Sequence, residues 1–376
     1  MLPRDVFGSE HEAFRQAVRA FLDHEAVPHT EAWEEAGLVD RAFWRKAAAH
    51  GFVGFAVPEE HGGLGITDFR FNAVLDEEVV RSGTVGDGFS LTNDIVLPYF
   101  LELTDDVQAK RWLPGIVSGE TVIAIAMTEP GTGSDLRAMT TTAVPDGSDW
   151  VLTGSKTFIT SGIQADLVVV AARTPDGFGL FVVPRDAPGF TRGKKLSKIG
   201  RRAQDTAELF FDGVRVPGDD VLGDPALGLR YLMRNLATER LSMAVVAVAS
   251  AEHAVALALA YAKERTAFGQ PIGSFQANRF TLAELHTKVQ VARVYVDRCL
   301  QAQVDGALDP ADAAGLKFFT TELEFEALDA CLQLHGGYGY IEEYEVARRW
   351  RDARVQRIYG GTNEIMREIV GRSLGL

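Results

Sequence analysis

The chain reads as an α+β protein in the order helix, sheet, helix. An N-terminal α-helical domain covers residues 1–120, a central β-sandwich or barrel domain 121–225 and a C-terminal four-helix-bundle domain 226–376. Three observations predict this. Up to about residue 120, apolar residues recur at helical spacing. From Thr121 the text breaks into short apolar runs separated by turn signals. From Ala226 helical text returns, beginning with a run over 227–261 that holds no proline and no glycine after Gly228. A length of 376 residues exceeds one ordinary core and agrees with two or three domains.

The first helix starts at Ser9, carries Phe14, Val18, Phe21 and Leu22 on one face, and ends near Pro28. Further helical text runs through 43–49. The loop PEEHGGLG follows, then a helix over about 68–81, and a helix over 105–118 closes the region. The apolar runs of the central region are VIAIAM, DWVLTG, ADLVVVAA, GLFVVP and AELFFDGVRVP. Pro-Asp-Gly at 145–147 and 175–177 and Pro-Gly at 188–189 separate them. With no helices between them, such strands predict an antiparallel sandwich or barrel. The C-terminal helices break at 268–274, 306–310 and 336–340.

Composition excludes several classes. Hydrophobic residues make up 46% and charged residues 24%, an ordinary globular balance. A net charge of -14 repels nucleic acid and anionic membrane, so no nucleic-acid partner is expected. Arg348, Arg349, Arg351, Arg354 and Arg357 crowd one stretch, but Asp352 and apolar residues interleave them. That pattern fits a solvated or interface helix face, or a small-anion site. Cys299 and Cys331 lack metal-ligand spacing; they read as structural thiols, and no metal is expected. The acidic N-terminus has no apolar h-region, which predicts a cytoplasmic location. Residues 241–262 are rich in Ala and Val, yet Glu252 and His253 sit at their middle, so a bundle core helix is expected and no membrane span. GTGSDL at Gly131 lacks the third glycine and ribose-binding acid of a dinucleotide site, and neither GxxxxGK[ST] nor HExxH occurs.

The chemistry-bearing stretch is NLATERLSMA, where Glu239 and Arg240 interrupt the long apolar run. Three and four places from Glu239 stand Leu236, Asn235, Ser242 and Met243, none cationic, and Arg240 points about a quarter-turn away. Such a carboxylate is either a structural Glu tied to a residue from elsewhere or a general base whose pKa burial lifts. Glu252, on the same run, qualifies almost as well.

Three Gly/Thr-rich stretches stand at element boundaries. MTEPGTGSD offers backbone N–H groups and the hydroxyls of Thr128 and Ser134 to a flat polar ligand or phosphate, or is a plain turn. KTFITSG is an alternating strand ending in Thr160. In IYGGTNEIMREI, Gly360 and Gly361 precede Thr362, a good N-cap, with Glu364 in the first turn. Its free N–H donors suit a carbonyl oxygen gaining charge, or simply start a helix.

MTEPGTGSD, KTFITSG, AQDTAELFFDGVRVP, ERTAFG followed by Gln276, LQLHGGYGY and IYGGTNEI occur in one order along the whole chain. Together they resemble the acyl-CoA dehydrogenase family, nearest its long-chain type. The resemblance implies that family's fold, with FAD between the sheet domain and the C-terminal helices. Met127, Thr128, Gly133, Ser134 and Phe158 would line the flavin, Thr160 would lie near its N5, and Thr362 and Glu364 would meet the cofactor. Arg265, Phe268, Gln276, Gln333 and Gly337 match positions that reach a neighbouring subunit's FAD, which implies a homotetramer. Many members carry the catalytic Glu directly after the Tyr of the last motif, but here Tyr359 is followed by Gly360. The long-chain and isovaleryl branches place it in a segment resembling LATERL, which favours Glu239 over Glu252.

The implied reaction is α,β-dehydrogenation of a saturated acyl thioester to the trans-2-enoyl product. Glu239 takes the α proton, flavin N5 takes hydride, and the Gly360 N–H with a ribityl hydroxyl polarises the carbonyl. Ser134, Arg240, Tyr359 and Gly360 would contact substrate. A long or branched acyl-CoA is expected, its tail shaped by the N-terminal helices around 89–98, with electron-transferring flavoprotein as acceptor. Thr132, Phe158 and Ala267 depart from the commonest family residues. The rivals are an acyl-carrier-protein-linked dehydrogenase, a flavin oxidase of the superfamily and an inactive structural or binding subunit.

Overall fold

The computed structural model describes residues 3–84 and 88–376. Its N-terminal part contains α1 (Ser9–Glu25), α2 (Thr30–Ala36), α3 (Arg41–Ala49) and α4 (Phe69–Ser82). The apolar face expected of α1 buries Val18, Phe21 and Leu22 against an aromatic core that includes Trp33, Phe43, Phe52 and Phe55. Asp68 starts α4 by accepting from the Arg70 N–H at 3.0 Å.

α5 (Gly88–Ser90), a π-helical turn (Leu91–Val96) and α6 (Leu97–Leu103) then follow without a break. The sequence reading expects N-terminal helices around 89–98 but gives them no bounds, because Pro98 and a turn wider than 3.6 residues blur the apolar period. α7 (Asp106–Val117) begins at a capping box in which Asp105 accepts from the N–H groups of Val107 and Gln108.

The sheet contains β1 (Ile123–Ala126), β2 (Thr142–Asp146), β3 (Asp149–Thr160), β4 (Leu167–Thr174), β5 (Gly177–Pro184), β6 (Phe190–Lys195), β7 (Thr206–Val216) and β8 (Val221–Leu222). The order is β6-β7-β3-β2-β4-β5-β8, with β1 paired to β4. Pairing is antiparallel except that β1 and the start of β2 run parallel to β4. The runs DWVLTG and KTFITSG, separate in the sequence reading, form the single strand β3, whose register against β7 shifts between Leu152 and Gly154 and between Lys156 and Ile159. β4 explains its own continuous apolar text. Val168, Val170 and Ala172 point into the core enclosed by the curled sheet, while Val169 and Ala171 point to the core shared with α6 and α7.

The C-terminal part opens with α8 (Gly228–Glu264), 37 residues long. A small hairpin of β9 (Thr266–Ala267) and β10 (Gln270–Pro271) leads to α9 (Gln276–Val304) and α10 (Pro310–His335), then α11 (Glu345–Ala353) and α12 (Asn363–Ser373). Leu241, Val245, Val248, Ala251, Ala254 and Ala258 of α8 lie in one core with residues of α4, α9 and α10. Small side chains on α8 let those helices approach closely. Among the described residues α8 is the one helix long and apolar enough to cross a membrane; it is the core helix of this bundle.

The arginine-rich stretch is largely engaged by internal ion pairs. Arg351 meets Glu34, Glu342 and Asp352, Arg349 meets Glu345, and Arg357 meets Glu322. Cys299 and Cys331 are buried and unpaired, and burial pushes their thiols up to about 11 and about 12. Ala251→Leu tests the packing of α8: overfilling this site should lower stability by about 1–3 kcal/mol in chemical denaturation.

Candidate active site

A cavity of about 740 Å³ opens where the three parts meet. Ser90, Leu91 and Ile95 line it from the N-terminal helices, Leu229, Met233, Leu236, Glu239 and Arg240 from α8, and Tyr359 and Gly360 from the turn before α12. The sheet contributes Met127, Thr128, Gly133, Ser134, Phe158 and Thr160.

Glu239 is only 4% exposed. Burial raises its carboxyl to about 7, against the lowering effects of a hydrogen bond from Tyr99 and the charge of Arg240. The Tyr99 hydroxyl donates to Glu239 Oε1 at 3.1 Å. The carboxylate is therefore tied to a residue far along the chain and also lines the cavity. Burial also lowers the pKa of Arg240, whose Nε has no partner. Glu252 pairs with Arg293 and lies off the cavity wall.

Buried polar pins hold the loops around this carboxylate. Glu129, inside MTEPGTGSD, accepts from Thr140 N at 2.7 Å, Thr140 Oγ1 at 2.6 Å, Thr141 N at 2.9 Å and Lys156 Nζ at 2.9 Å. Lys156 also donates to the Met127 carbonyl at 3.0 Å, and Thr157 N to the Thr128 carbonyl at 2.9 Å. Burial pushes the Glu129 carboxyl upward, but these hydrogen bonds outweigh it and bring the pKa down to about 2. Burial lowers Lys156 to about 8 despite the attraction of Glu129. The register shift after Lys156 turns the next residue but one, Phe158, to a positive φ of 60° and leaves it 68% exposed on the cavity wall. A bulky residue held there marks strain stored beside a site.

The turn carrying Gly360 rests directly on α8. A Cβ at Gly360 would come within 2.2 Å of Met243 Sδ, and its φ is +60°. Met243 stands one turn after Glu239 on the same face, and Gly360 and Glu239 line the same cavity. Lys317 fixes the other side of the turn, donating to the Gly361 carbonyl at 2.8 Å and to Asn363 Oδ1 at 3.0 Å. Burial and the charge of Arg240 lower Lys317 to about 7. Ser242 anchors α8 to α4 and the π-turn through bonds to Asp76 at 2.9 Å and Asp94 at 2.6 Å, and burial raises Asp94 to about 6.

The remaining residues singled out in the sequence lie elsewhere. Thr362 caps α12, accepting from Ile365 N at 3.4 Å, and Glu364 is exposed near Arg367; neither lines the cavity. Arg265, Gln333 and Gly337 line a second cleft of about 460 Å³ at the far end of the bundle. Phe268 is 95% exposed on the β9–β10 turn, and Gln276 is exposed at the start of α9.

Sequence reasoning missed Tyr99, Gln356, Lys156, Glu129 and Lys317. The signals were present as a tyrosine inside the apolar run IVLPYFL and a lysine at an inward strand position. Gln356, buried on the cavity wall, has both its amide nitrogen and its amide oxygen without a partner, and nothing in its local text marks it.

Residues 8–120, 124–214 and 227–375 match the families described as acyl-CoA dehydrogenase, N-terminal, middle and C-terminal domain. The mitochondrial long-chain specific acyl-CoA dehydrogenase of Sus scrofa is 46% identical, over 99% of this chain and 88% of its own length. The crystal structure of acyl-CoA dehydrogenase from Geobacillus kaustophilus superposes with a TM-score of 0.98 at 45% identity, covering 100% of both chains. A glutaryl-CoA dehydrogenase from Mycobacterium smegmatis, solved in complex with FADH2, gives a TM-score of 0.91 at 26% identity, over 98% of this chain and 95% of that one. The chain belongs to the acyl-CoA dehydrogenase family. Within it, the long-chain specific enzymes are among its similar relatives.

Two stability outcomes follow from this geometry. Lys156→Met leaves Glu129 buried without its cation and should cost about 3–5 kcal/mol in denaturant unfolding. Because Glu239 binds its proton more tightly folded than unfolded, it costs stability as pH rises from 4.5 through about 7. Glu239→Gln should therefore match the parent below pH 4.5 and exceed it at pH 8, by roughly 1–3 kcal/mol in pH-resolved unfolding.

Proposed function

We propose that the protein dehydrogenates the α,β bond of a saturated acyl-CoA with bound FAD, using Glu239 as the general base. The observation that carries this reading is a buried carboxyl that lines one cavity with the Gly360 turn and whose pKa burial raises to about 7. An α-thioester hydrogen is a weak acid, so its removal needs a desolvated base that is half ionised near neutral pH and a donor for the charge growing on the carbonyl oxygen. The Gly360 N–H makes no hydrogen bond to another described residue and is available as that donor. A donor of this kind is typically worth about 3–4 kcal/mol in the transition state.

The cavity's residues fit a large polar ring cofactor. The hydroxyls of Thr128, Ser134 and Thr160 make no hydrogen bond to another described residue, and the orphaned amide of Gln356 adds a donor and an acceptor. Phe158 supplies a flat apolar face. These residues with Met127 and Gly133 would hold FAD, whose chemistry when bound is acceptance of the hydride from the β carbon. The chain does the rest: Ser134, Arg240 and Tyr359 orient the thioester, the Gly360 N–H polarises it, and Glu239 holds the α proton.

Leu91, Ile95, Met233 and Leu236 give the cavity an apolar side that supports a long or branched tail. The second cleft at Arg265, Gln333 and Gly337, with Phe268 projecting beside the bundle, supports a homotetramer in which each subunit completes its neighbour's cofactor site. Electron-transferring flavoprotein is the proposed acceptor.

The test is single-turnover flavin bleaching with acyl-CoAs from butyryl to palmitoyl. Glu239→Gln should retain FAD and acyl-CoA binding while bleaching falls by roughly 10²–10⁴-fold. Near-normal bleaching in that variant removes Glu239 from the role, and a parent protein that stays colourless with added FAD overturns the reading.

A further inference from the structure

We propose that Tyr99 is the positioning residue of the base: by holding Glu239 Oε1 it leaves Oε2 as the oxygen that meets the substrate's α hydrogen. This rests on the reading of Glu239 as base. Tyr99 stands in α6, immediately after the π-helical turn, and is fully buried. Its ring belongs to the core of Phe100, Trp112, Leu113 and Ile116, which leaves the hydroxyl proton as its one free degree of orientation. That proton goes to Glu239 Oε1 at 3.1 Å, 140 positions away in sequence. Oε2 makes no hydrogen bond to a described residue, yet it is not among the buried atoms sealed without a partner, so it keeps access to the cavity. One carboxylate oxygen is thus anchored and the other is presented.

The same bond has an electrostatic consequence. A neutral phenol donating to a carboxylate favours its charged form. Burial and the negative charge of Glu239 push the phenol well above its ordinary pKa, so Tyr99 remains a donor throughout the working range. Asp135 and Arg137 of the first sheet loop, Arg201, and Glu368 and Arg372 of α12 line the same cavity as Glu239. Arg240 on α8 also favours ionised Glu239, and its charge lowers the pKa of Lys317 on α10. Glu102 on α6 acts on Tyr99. Asp76 on α4 and Asp94 in the π-turn are bound to Ser242, one turn beyond the base. Among the described residues Tyr99 is the one group that donates a hydrogen bond to Glu239.

The experiment compares pH–rate profiles of flavin reduction by acyl-CoA in the FAD-loaded parent, Tyr99→Phe and Glu239→Gln. Tyr99→Phe should keep FAD content and acyl-CoA affinity, lower the rate at pH 7 by about tenfold or more, and move the ionisation limb up by about one pH unit, with recovery toward pH 9. A merely structural role would depress the rate at every pH and reduce FAD content. That result, or an unmoved limb, overturns the proposal. Incorporation of 3,5-difluorotyrosine at position 99, a stronger donor, should move the limb the opposite way and decides the matter if Tyr99→Phe folds poorly. The two failures are distinguishable. If Glu239→Gln reduces its flavin normally, the base assignment falls; if Glu239→Gln is dead and Tyr99→Phe keeps the parent's profile, only the role of Tyr99 falls.

Discussion

One carboxylate buried in an apolar helix is the constraint around which the molecule is arranged. α8 is apolar enough to form the core of the C-terminal bundle, yet it carries Glu239 and Arg240 near its middle. Removing a carboxylate from water is costly, and the cost appears as a pKa lifted to about 7 rather than as a tight ion pair. The structure keeps that cost moderate with one phenol and a side-on arginine, and leaves the rest of the carboxylate's surroundings to a cavity.

Holding such a group in register demands rigid loops, and the molecule achieves this with interior polar contacts. Glu129 and Lys156 join the first sheet loop to β3, Lys317 clamps the glycine turn, and Ser242 with Asp76 and Asp94 fixes α8 against the N-terminal helices. A buried polar contact of this kind adds little net stability over an apolar equivalent, but its geometry is specific, and partial satisfaction is penalised. Away from the cavity the bundle is filled mainly by Ala, Val and Leu, with a buried charged contact between Arg293 and Glu77.

Some of the buried polar atoms without a hydrogen-bond partner belong to the cavity, while Asn235 Nδ2 and Arg293 Nε lie off its wall. Arg240 Nε and both amide atoms of Gln356 belong to residues on the cavity wall. Polar groups on a cavity wall that the chain leaves unpaired are free to bond whatever enters it. The strained φ of Phe158 belongs with them, because the backbone pays to present that ring toward the cavity rather than along the sheet.

The sequence by itself determined the helix, sheet, helix order, since helical apolar spacing gives way at Thr121 to short apolar runs bounded by turn signals and returns after Ala226, both local features. It also showed the long core helix, the Thr362 cap and the odd placement of Glu239, each readable from neighbours within one turn. The parallel pairing of β1 with β4, the fusion of DWVLTG and KTFITSG into one bent strand and the helix through Pro98 were decided by tertiary structure, because register and π-turns depend on contacts far along the chain. Only the folded chain could bring Tyr99 to Glu239 across 140 positions, set Glu252 aside through Arg293 and gather three separate glycine-rich stretches around a single cavity. A side chain's pKa and its partner are properties of the space around it, and that space is assembled from residues which the linear text keeps apart.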